Sequence, residues 1–139
     1  MALSSEVSLY SGNSPAAAGG TTATTAVTGF RGCTAITIIA TVAGGAGGLL
    51  DIYIQDSPDG VTWYDYWHIT QRTAGQAAET LAWDPALNDS VTTIGTGTSP
   101  ALANGAVRGG HWFDQLRVLF VPGSGVAAAT QNVRVLTVR

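Results

Sequence analysis

The stretch from Leu49 to Ile69, LLDIYIQDSPDGVTWYDYWHI, constrains the fold of this chain more than any other. Two runs that alternate in polarity flank the tetrapeptide from Ser57 to Gly60. Its proline fixes φ at the second position, and its glycine accepts the left-handed conformation at the fourth, as in a type I turn. The same glycine suits a G1 bulge that would set the register of the two strands. The stretch therefore predicts a β-hairpin.

Both predicted strands of this hairpin carry apolar or aromatic side chains on both faces. On the first strand the two faces hold Leu50, Ile52 and Ile54, and Asp51, Tyr53 and Gln55. On the second strand they hold Trp63, Trp67 and Ile69, and Tyr64, Tyr66 and His68. We expect one face of the second strand to fill the core and the other to be exposed or covered by a partner.

Further short stretches also predict strands. The clearest is Cys33 to Ala43, in which β-branched residues dominate and which we expect to be a central strand. The other candidates are Glu6 to Tyr10, Thr24 to Phe30, Ala78 to Trp83, Val91 to Ile94, Trp112 to Val121 and Asn132 to Val138. No stretch shows sustained helical periodicity. The pattern predicts an all-β fold, a single antiparallel β-sandwich with Greek-key or jelly-roll-like connections.

The chain divides into two parts. Residues 1–25 contain a small and polar stretch, SGNSPAAAGGTTATT, and predict an extended N-terminal arm with one short strand. Residues 26–139 predict the β-sandwich domain. Within that domain, residues 84–105 form a long irregular loop rich in turn formers, and such loops are often functional or ordered by a partner.

Charge is scarce along the whole chain. Charged residues make up 11% of 139, all six basic residues are arginine, and the formal net charge is −3. A nucleic-acid-binding protein normally carries a basic stripe, so we expect no nucleic-acid partner. So few charges leave two interpretations: a neutral surface rich in Thr and Gly, or a surface that is buried against neighbouring proteins.

The first residues, MALSSEVSLY, lack the charged and apolar regions of a signal peptide. No apolar run reaches the length of a membrane span, so we expect no membrane partner and folding in a cytoplasm. The single cysteine, Cys33, excludes an intrachain disulfide, and its apolar surroundings favour a buried structural thiol.

Candidate catalytic and metal-binding residues are few and scattered. His68 and His111 lie at predicted strand ends, and a zinc site there would need carboxylates from distant loops. Asp56, Asp59 and Asp65 cluster around the hairpin turn, but without the spacing of an EF-hand loop. The glycine-rich loop before the hairpin fits neither nucleotide-binding pattern, and no serine lies in a nucleophile elbow. We expect no enzyme, no cofactor and no metal site.

Aromatic side chains are the best functional candidates in the sequence. Aromatic rings on a β-sheet face stack on sugars, and they also anchor protein interfaces. The set comprises Trp63, Tyr64, Tyr66, Trp67, Trp83 and Trp112. Core packing is expected to use part of this set, which leaves the remainder for a sugar or protein contact.

Three motifs give the chain a resemblance to a known family. A strand from Leu50 to Gln55, LDIYIQ, is followed by SPDGVTW from Ser57 to Trp63 and later by LRV from Leu116 to Val118. This order resembles that of small β-sandwich proteins encoded among the virion structural genes of tailed bacteriophages. The match covers Leu49 to Trp67 and, more loosely, the last two strands.

The resemblance implies a capsid decoration or cement protein, which binds the outer shell and stabilises contacts between capsomers. The implied partners are the major capsid protein and further copies of the chain itself, as a homo-oligomer in which a trimer is favoured. The implied location is the capsid surface of a virion assembled in the host bacterial cytoplasm. Two alternatives remain: a carbohydrate- or receptor-binding module of the virion, and a head-completion or tail component.

In this interpretation the contact surface is built mainly from the N-terminal arm and the long loop, which the hairpin holds in place. The candidate contact residues are Leu3, Val7, Leu9, Tyr10, Tyr64, Tyr66, Leu87 and Leu102.

Overall fold

A computed structural model describes residues 4–85, 103–108 and 111–139. These residues form nine strands and one short 3-10 helix. In chain order the elements are β1 (Ser4–Asn13), the 3-10 helix (Ala17–Gly19), β2 (Thr22–Ala23), β3 (Val27–Thr28), β4 (Ala35–Val42), β5 (Leu50–Ser57), β6 (Tyr64–Arg72), β7 (Glu79–Trp83), β8 (Gln115–Pro122) and β9 (Thr130–Val138). None of the described residues belongs to a helix that is long and apolar enough to cross a membrane.

The strands form two antiparallel sheets. Sheet 1 has the order β1-β9-β4-β7, and sheet 2 has the order β2-β8-β5-β6, with β3 also on β8. Because β2 and β3 pair with successive parts of β8, they act as one interrupted strand. The first half of the chain then runs against the second half as a long ribbon, which rolls up so that β4 also pairs with β9 and β5 with β8. This jelly-roll order confirms the predicted all-β antiparallel sandwich.

The core lies between the two sheets and is filled from alternate positions of the central strands. The side chains that are at most 1% exposed include Ile36, Ile38, Ala40, Val42, Leu50, Ile52, Ile54, Leu116, Val118, Phe120, Val133 and Val135. Full burial of one such Val, Leu, Ile or Phe side chain contributes about 1.5–3 kcal/mol. The predicted central position of the strand after Cys33 is confirmed, since β4 pairs with β7 on one side and β9 on the other.

The predicted hairpin is present as β5 and β6, joined by residues 58–63. Gly60 has φ 75°, the left-handed conformation that its position requires. The Oγ atom of Ser57 accepts hydrogen bonds from the backbone N–H groups of Asp59 (3.3 Å) and Gly60 (2.8 Å). These bonds close the turn at the residues that predicted it.

The register of the hairpin differs from the prediction at Tyr66. Ile54 pairs with Trp67 and Gln55 with Asp65, so Tyr66 is an extra residue on β6 and forms a bulge there. A second register shift lies between Leu50 and Ile52. Strict alternation is therefore wrong at Tyr66. Tyr66 and Trp67, predicted on opposite faces, both belong to the core.

The N-terminal residues belong to the sandwich. The strand predicted at Glu6 to Tyr10 is confirmed and extends over all of β1, which pairs with β9 at nine positions. These residues do not project as an extended arm, because Val7, Leu9 and Tyr10 all pack on the core. The register shift between Ser8 and Tyr10 makes Leu9 an extra residue, which brings Leu9 and Tyr10 to the same side of the strand.

Two other predicted strands have different outcomes. Of the strand predicted from Thr24 to Phe30 only β3 (Val27–Thr28) forms. At Thr24 the Oγ1 atom, in place of a backbone carbonyl, accepts the hydrogen bond from the N–H of Val118 (3.0 Å), which interrupts the pairing with β8. The strand predicted from Val91 to Ile94 lies outside the described residues, as does most of the long loop at 84–105.

Candidate functional site

Five of the eight predicted contact residues cannot be placed on an exposed surface. Leu3, Leu87 and Leu102 lie outside the described residues. Leu9 is 5% exposed and Tyr66 is fully buried, and both belong to the core cluster. For Leu9 and Tyr66 the prediction is corrected, because packing between the sheets already uses their side chains.

The other three predicted contact residues are partly buried. Val7 and Tyr10 face inward from β1, where the Tyr10 ring packs edge-on against Phe120 at 5.1 Å between ring centroids. Tyr64 lies at the start of β6, with its ring centroid 6.2 Å from that of Phe113. A contact between these three residues and a partner stays a prediction.

Four of the six aromatic candidates take part in core packing. The ring of Trp83 lies 4.8 Å from that of Tyr66 and 5.8 Å from that of Trp67. Trp112 packs against the core and donates a hydrogen bond from Nε1 to the carbonyl of Phe30 (2.9 Å). These rings therefore do not form a row on which a sugar could stack.

The outer face of sheet 2 carries a chain of buried polar contacts. Gln55 is fully buried, accepts a hydrogen bond from Arg117 Nε (2.9 Å) and donates one to Asp65 Oδ1 (2.9 Å). The Arg117 Cζ atom lies 4.1 Å from the centroid of the Trp63 ring, and burial lowers the pKa of this guanidinium. These contacts join β8, which carries Arg117, to β5 and to the start of β6 with the hairpin loop before it.

His68 belongs to the same face. Its Nε2 atom lies 2.9 Å from Asp51 Oδ1, which also accepts a hydrogen bond from Gln71 Nε2 (2.8 Å). The His68 ring stacks on Tyr53 with 4.1 Å between centroids. His111 is exposed on another segment. In the described part of the chain, no three His, Cys, Asp or Glu side chains come together in a way that could hold a metal ion.

The three aspartates of the hairpin make separate sets of contacts. Asp59 Oδ1 accepts hydrogen bonds from the N–H groups of Thr62 (2.7 Å) and Val61 (2.9 Å), and these bonds lower the pKa of Asp59 to about 2. Asp65 bonds to Gln55 on the outer face, whereas Asp56 lies at the end of the core. Asp59 thus has the turn role that the sequence predicts for it.

Asp56 and Arg108 form a buried ion pair. The Oδ2 atom of Asp56 accepts hydrogen bonds from Arg108 Nη2 (2.5 Å) and from the N–H of Phe113 (3.1 Å). Asp56 is fully buried, Arg108 is 6% exposed, and the Arg108 Cζ atom lies 4.9 Å from the Tyr66 ring centroid. Burial raises the pKa of Asp56, and the positive charge of Arg108 offsets part of that rise. The pair fastens the segment before β8 to the end of β5.

The same segment covers the outer edge of β6. The N–H of His68 donates to the carbonyl of Ala106, and the N–H of Arg108 donates to the carbonyl of Tyr66, both at 2.9 Å. Residues 106–108 therefore act as a further short strand on sheet 2, and the backbone of β6 is paired on both sides from Tyr66 to His68.

The outer face of sheet 1, called here the sheet 1 surface, is almost free of charge. Its outward positions are Ser4, Glu6, Ser8, Ser11, Asn13, Ala35, Thr37, Ile39, Thr41, Thr80, Ala82, Thr130, Asn132, Arg134, Leu136 and Val138. The two charged residues lie close together, with 3.7 Å between Arg134 Nη1 and Glu6 Oε1. Leu136 is 38% exposed. A surface with so few charges costs little to desolvate.

A groove of about 700 Å³ lies between β1 and the β2–β3 region. None of its lining residues is charged. Leu9, Tyr10, Val27 and Phe120 give it an apolar wall, and most of the remaining lining residues are Ser or Thr. The groove lies where the first strands of the two sheets face each other across the sandwich.

Two groups of residues were not identified from the sequence as functional candidates. Alternation along β9 separates Arg134, Leu136 and Val138 from the core positions, but it does not show that they belong to a nearly uncharged face of four strands. No local sequence pattern identified Arg108 as part of an ion pair, because its partner Asp56 is 52 positions away in the sequence.

Comparisons of the chain with family models, with curated proteins and with solved structures found no match.

Proposed function

We propose that this chain is a capsid decoration protein of a tailed bacteriophage, which binds the outer shell through the sheet 1 surface and stabilises contacts between capsomers. The observation that carries the proposal is the charge pattern of that surface. Of its sixteen outward positions only Glu6 and Arg134 are charged, and these two are paired with each other. Protein interfaces are depleted of charge at their centres, because every buried charge has to be desolvated.

The backbone beneath this surface is suited to binding without rearrangement. Its two inner strands, β4 and β9, pair with neighbours on both sides, so their outward side chains are held at fixed spacings. A preordered surface loses little conformational entropy when it binds. On a symmetric shell, many identical weak contacts add up to a high avidity, so no single contact needs to be strong.

The motifs and the architecture agree with this assignment. The LDIYIQ and SPDGVTW motifs, which resemble those of phage virion proteins, form β5 and the hairpin loop. Jelly rolls are common in viral capsid domains and also in lectin domains. Because a fold does not decide a function, the surface rather than the architecture carries the proposal.

The test uses expanded capsids that lack this protein. Purified chain is added, bound copies are counted by co-sedimentation, and the rupture temperature is measured by calorimetry. Leu136→Glu places a carboxylate beside Glu6 on the sheet 1 surface, and we expect it to weaken binding by at least about tenfold. The matched control is Val61→Glu on the hairpin loop, since Val61 is 83% exposed and lies away from that surface.

Three outcomes would overturn the proposal. The first is that the rupture temperature is the same with and without the chain, and the second is that both variants bind as the unmodified chain does. The third is a reconstruction of assembled particles that places a few copies at the portal or tail, which would favour a head-completion or tail component. A glycan array with hits that Trp63→Ala abolishes would instead support the carbohydrate-binding alternative.

A further inference from the structure

The edges of the two sheets are not equally protected. A sheet edge exposes unpaired backbone N–H and C=O groups, and proteins commonly shorten, interrupt or cover such edges. Here β7 has five residues, β2 and β3 have two each, and the middle of β6, Tyr66 to His68, is covered by residues 106–108. By contrast, β1 has ten residues and, within the described parts of the chain, pairs with β9 alone.

The sequence of β1 does little to prevent pairing with another strand. It has no proline and no lysine, and its one charged residue, Glu6, lies on the outer side beside Arg134. The bulge at Leu9 is its only irregularity, and the strand before it is regular from Ser4 to Ser8. The bulge protects the second half of β1, whereas Ser4 to Ser8 form a regular and nearly uncharged edge, which is a template for a further strand.

We propose that β1 pairs antiparallel with β1 of a second copy of this chain, about a two-fold axis, so that the two copies of sheet 1 join into one eight-stranded sheet. An identical free edge is always present in solution, and a two-fold axis lets each copy use the same surface. The proposal does not depend on the proposed function.

The position of Glu6 selects the register. When the two-fold axis is perpendicular to the sheet, the outer faces of the two copies lie on the same side, so outward residues meet outward residues. Pairing Glu6 with Glu6 of the second copy would set like charges directly opposite each other, which is destabilising. Pairing Val7 with Val7 of the second copy avoids this, because Glu6 then faces Ser8. Pairing Ser5 with Ser5 also separates the two Glu6 side chains, but it aligns only residues 4–6 of each β1, so the Val7 register is favoured.

The distribution of charge around β1 also favours a second copy of β1 as the strand that pairs with it. The groove next to β1 is uncharged, and so are the inward side chains of β1, which include the apolar Val7 and Leu9 and the hydroxyl of Ser5. The only charged side chain of β1 points to the opposite face. A second copy of β1 therefore brings no charge to the groove.

Sedimentation equilibrium of the full chain over a range of concentrations tests the pairing. Position 8 distinguishes monomer from dimer, because Ser8 faces Arg134 within one copy and Glu6 of the second copy across the proposed interface. Ser8→Glu should weaken the dimer about 3- to 10-fold, while its carboxylate lies favourably beside Arg134 in the monomer. Ser8→Lys should tighten the dimer by a similar factor and lower the thermal stability of the monomer.

Thr80→Glu, at an exposed position on the edge strand β7, makes the same charge change as Ser8→Glu and should leave association unchanged. Hydrogen exchange gives a second readout, since the β1 amides should gain protection as concentration rises. A chain that stays monomeric at every concentration, or forms only trimers, overturns the proposal. So does a dimer that Ser8→Glu and Ser8→Lys shift in the same direction or leave unchanged.

Discussion

The outer faces of the two sheets follow the same alternation of side chains, yet they differ in what their side chains do. On sheet 2, Gln55 and Asp65 are fully buried and His68 is 4% exposed, and all three are bonded to neighbours within the chain. On sheet 1, Leu136 is 38% exposed and Thr37 is partly exposed. A polar group that is already bonded within the chain has little to offer a partner. The stabilising side-chain contacts therefore lie on the sheet 2 side, and the sheet 1 side is the one that we propose binds a partner.

The largest effect on stability is expected at the end of β5, where Asp56 is fully buried and paired with Arg108. Arg108→Ala leaves the Asp56 carboxylate buried without its cation, and we expect a loss of about 3–5 kcal/mol in the free energy of unfolding. Arg134→Ala, which removes the cation of the exposed pair on sheet 1, should cost at most about 1 kcal/mol. Urea denaturation measures both, and equal losses would break the comparison.

The Arg108→Ala loss should also depend on pH. Burial raises the pKa of Asp56 above its value in the unfolded chain, and the positive charge of Arg108 limits this rise. Removal of Arg108 should therefore raise the pKa of Asp56 further. A carboxyl with a raised folded pKa favours folding when protonated, and that contribution is lost as pH rises through the folded pKa. The loss caused by Arg108→Ala should therefore be largest at neutral pH and shrink in acid. A loss that is independent of pH would show that Asp56 is not the group left unpaired.

An intermediate effect is expected on the outer faces themselves. Gln55→Met keeps the length of the side chain but removes the hydrogen bonds to Arg117 and Asp65, so we expect a loss of about 1–3 kcal/mol. Thr37→Val makes a comparable deletion of polarity on the sheet 1 surface and should change stability by no more than about 0.5 kcal/mol. Thermal unfolding of the two variants side by side tests this. A Thr37→Val loss as large as that of Gln55→Met would contradict the assignment.

The smallest effect is local to the hairpin loop. Hydrogen bonds from the N–H groups of Thr62 and Val61 lower the pKa of Asp59 to about 2. Because this folded pKa lies below the unfolded value, the contribution of Asp59 to stability is present at neutral pH and is lost as pH falls through about 2. Carboxyl carbon shifts followed by NMR should show this midpoint. Ser57→Ala removes the hydrogen bond from Ser57 Oγ to Asp59 Oδ1, so the titration midpoint of Asp59 should rise in that variant. If Asp59 of the unmodified chain titrated like an ordinary aspartate, the turn geometry would be disproved.

Much of the fold was predictable because short-range patterns report it directly. The alternation of apolar residues located β8 and β9, the β-branched run located β4, and the Ser-Pro-Asp-Gly tetrapeptide located the turn between β5 and β6. The bulge at Tyr66 was not predictable in this way. An extra residue shifts the alternation without changing the composition, and its position depends on how the partner strand β5 is paired.

Less of the candidate site was predictable. The residues of the sheet 1 surface come from four strands that are far apart in the chain, and only the strand order β1-β9-β4-β7 makes them neighbours. The aromatic residues attracted attention in the sequence because of their chemistry, but Tyr66, Trp67 and Trp83 proved to be core residues. Chemical type suggested a binding role for these side chains, and burial decided against it.

The sequence by itself determined that this chain is an antiparallel β-sandwich and that its hairpin turns at Ser57 to Gly60, because turn chemistry and alternation act between residues that are close in the chain. Only the tertiary structure decided that residues 4–13 complete sheet 1, that Asp56 pairs with Arg108, and that one long edge remains unpaired among the described strands. Those features depend on contacts between residues many positions apart. Such contacts are fixed when the ribbon rolls into two sheets, and no local pattern of residues records them.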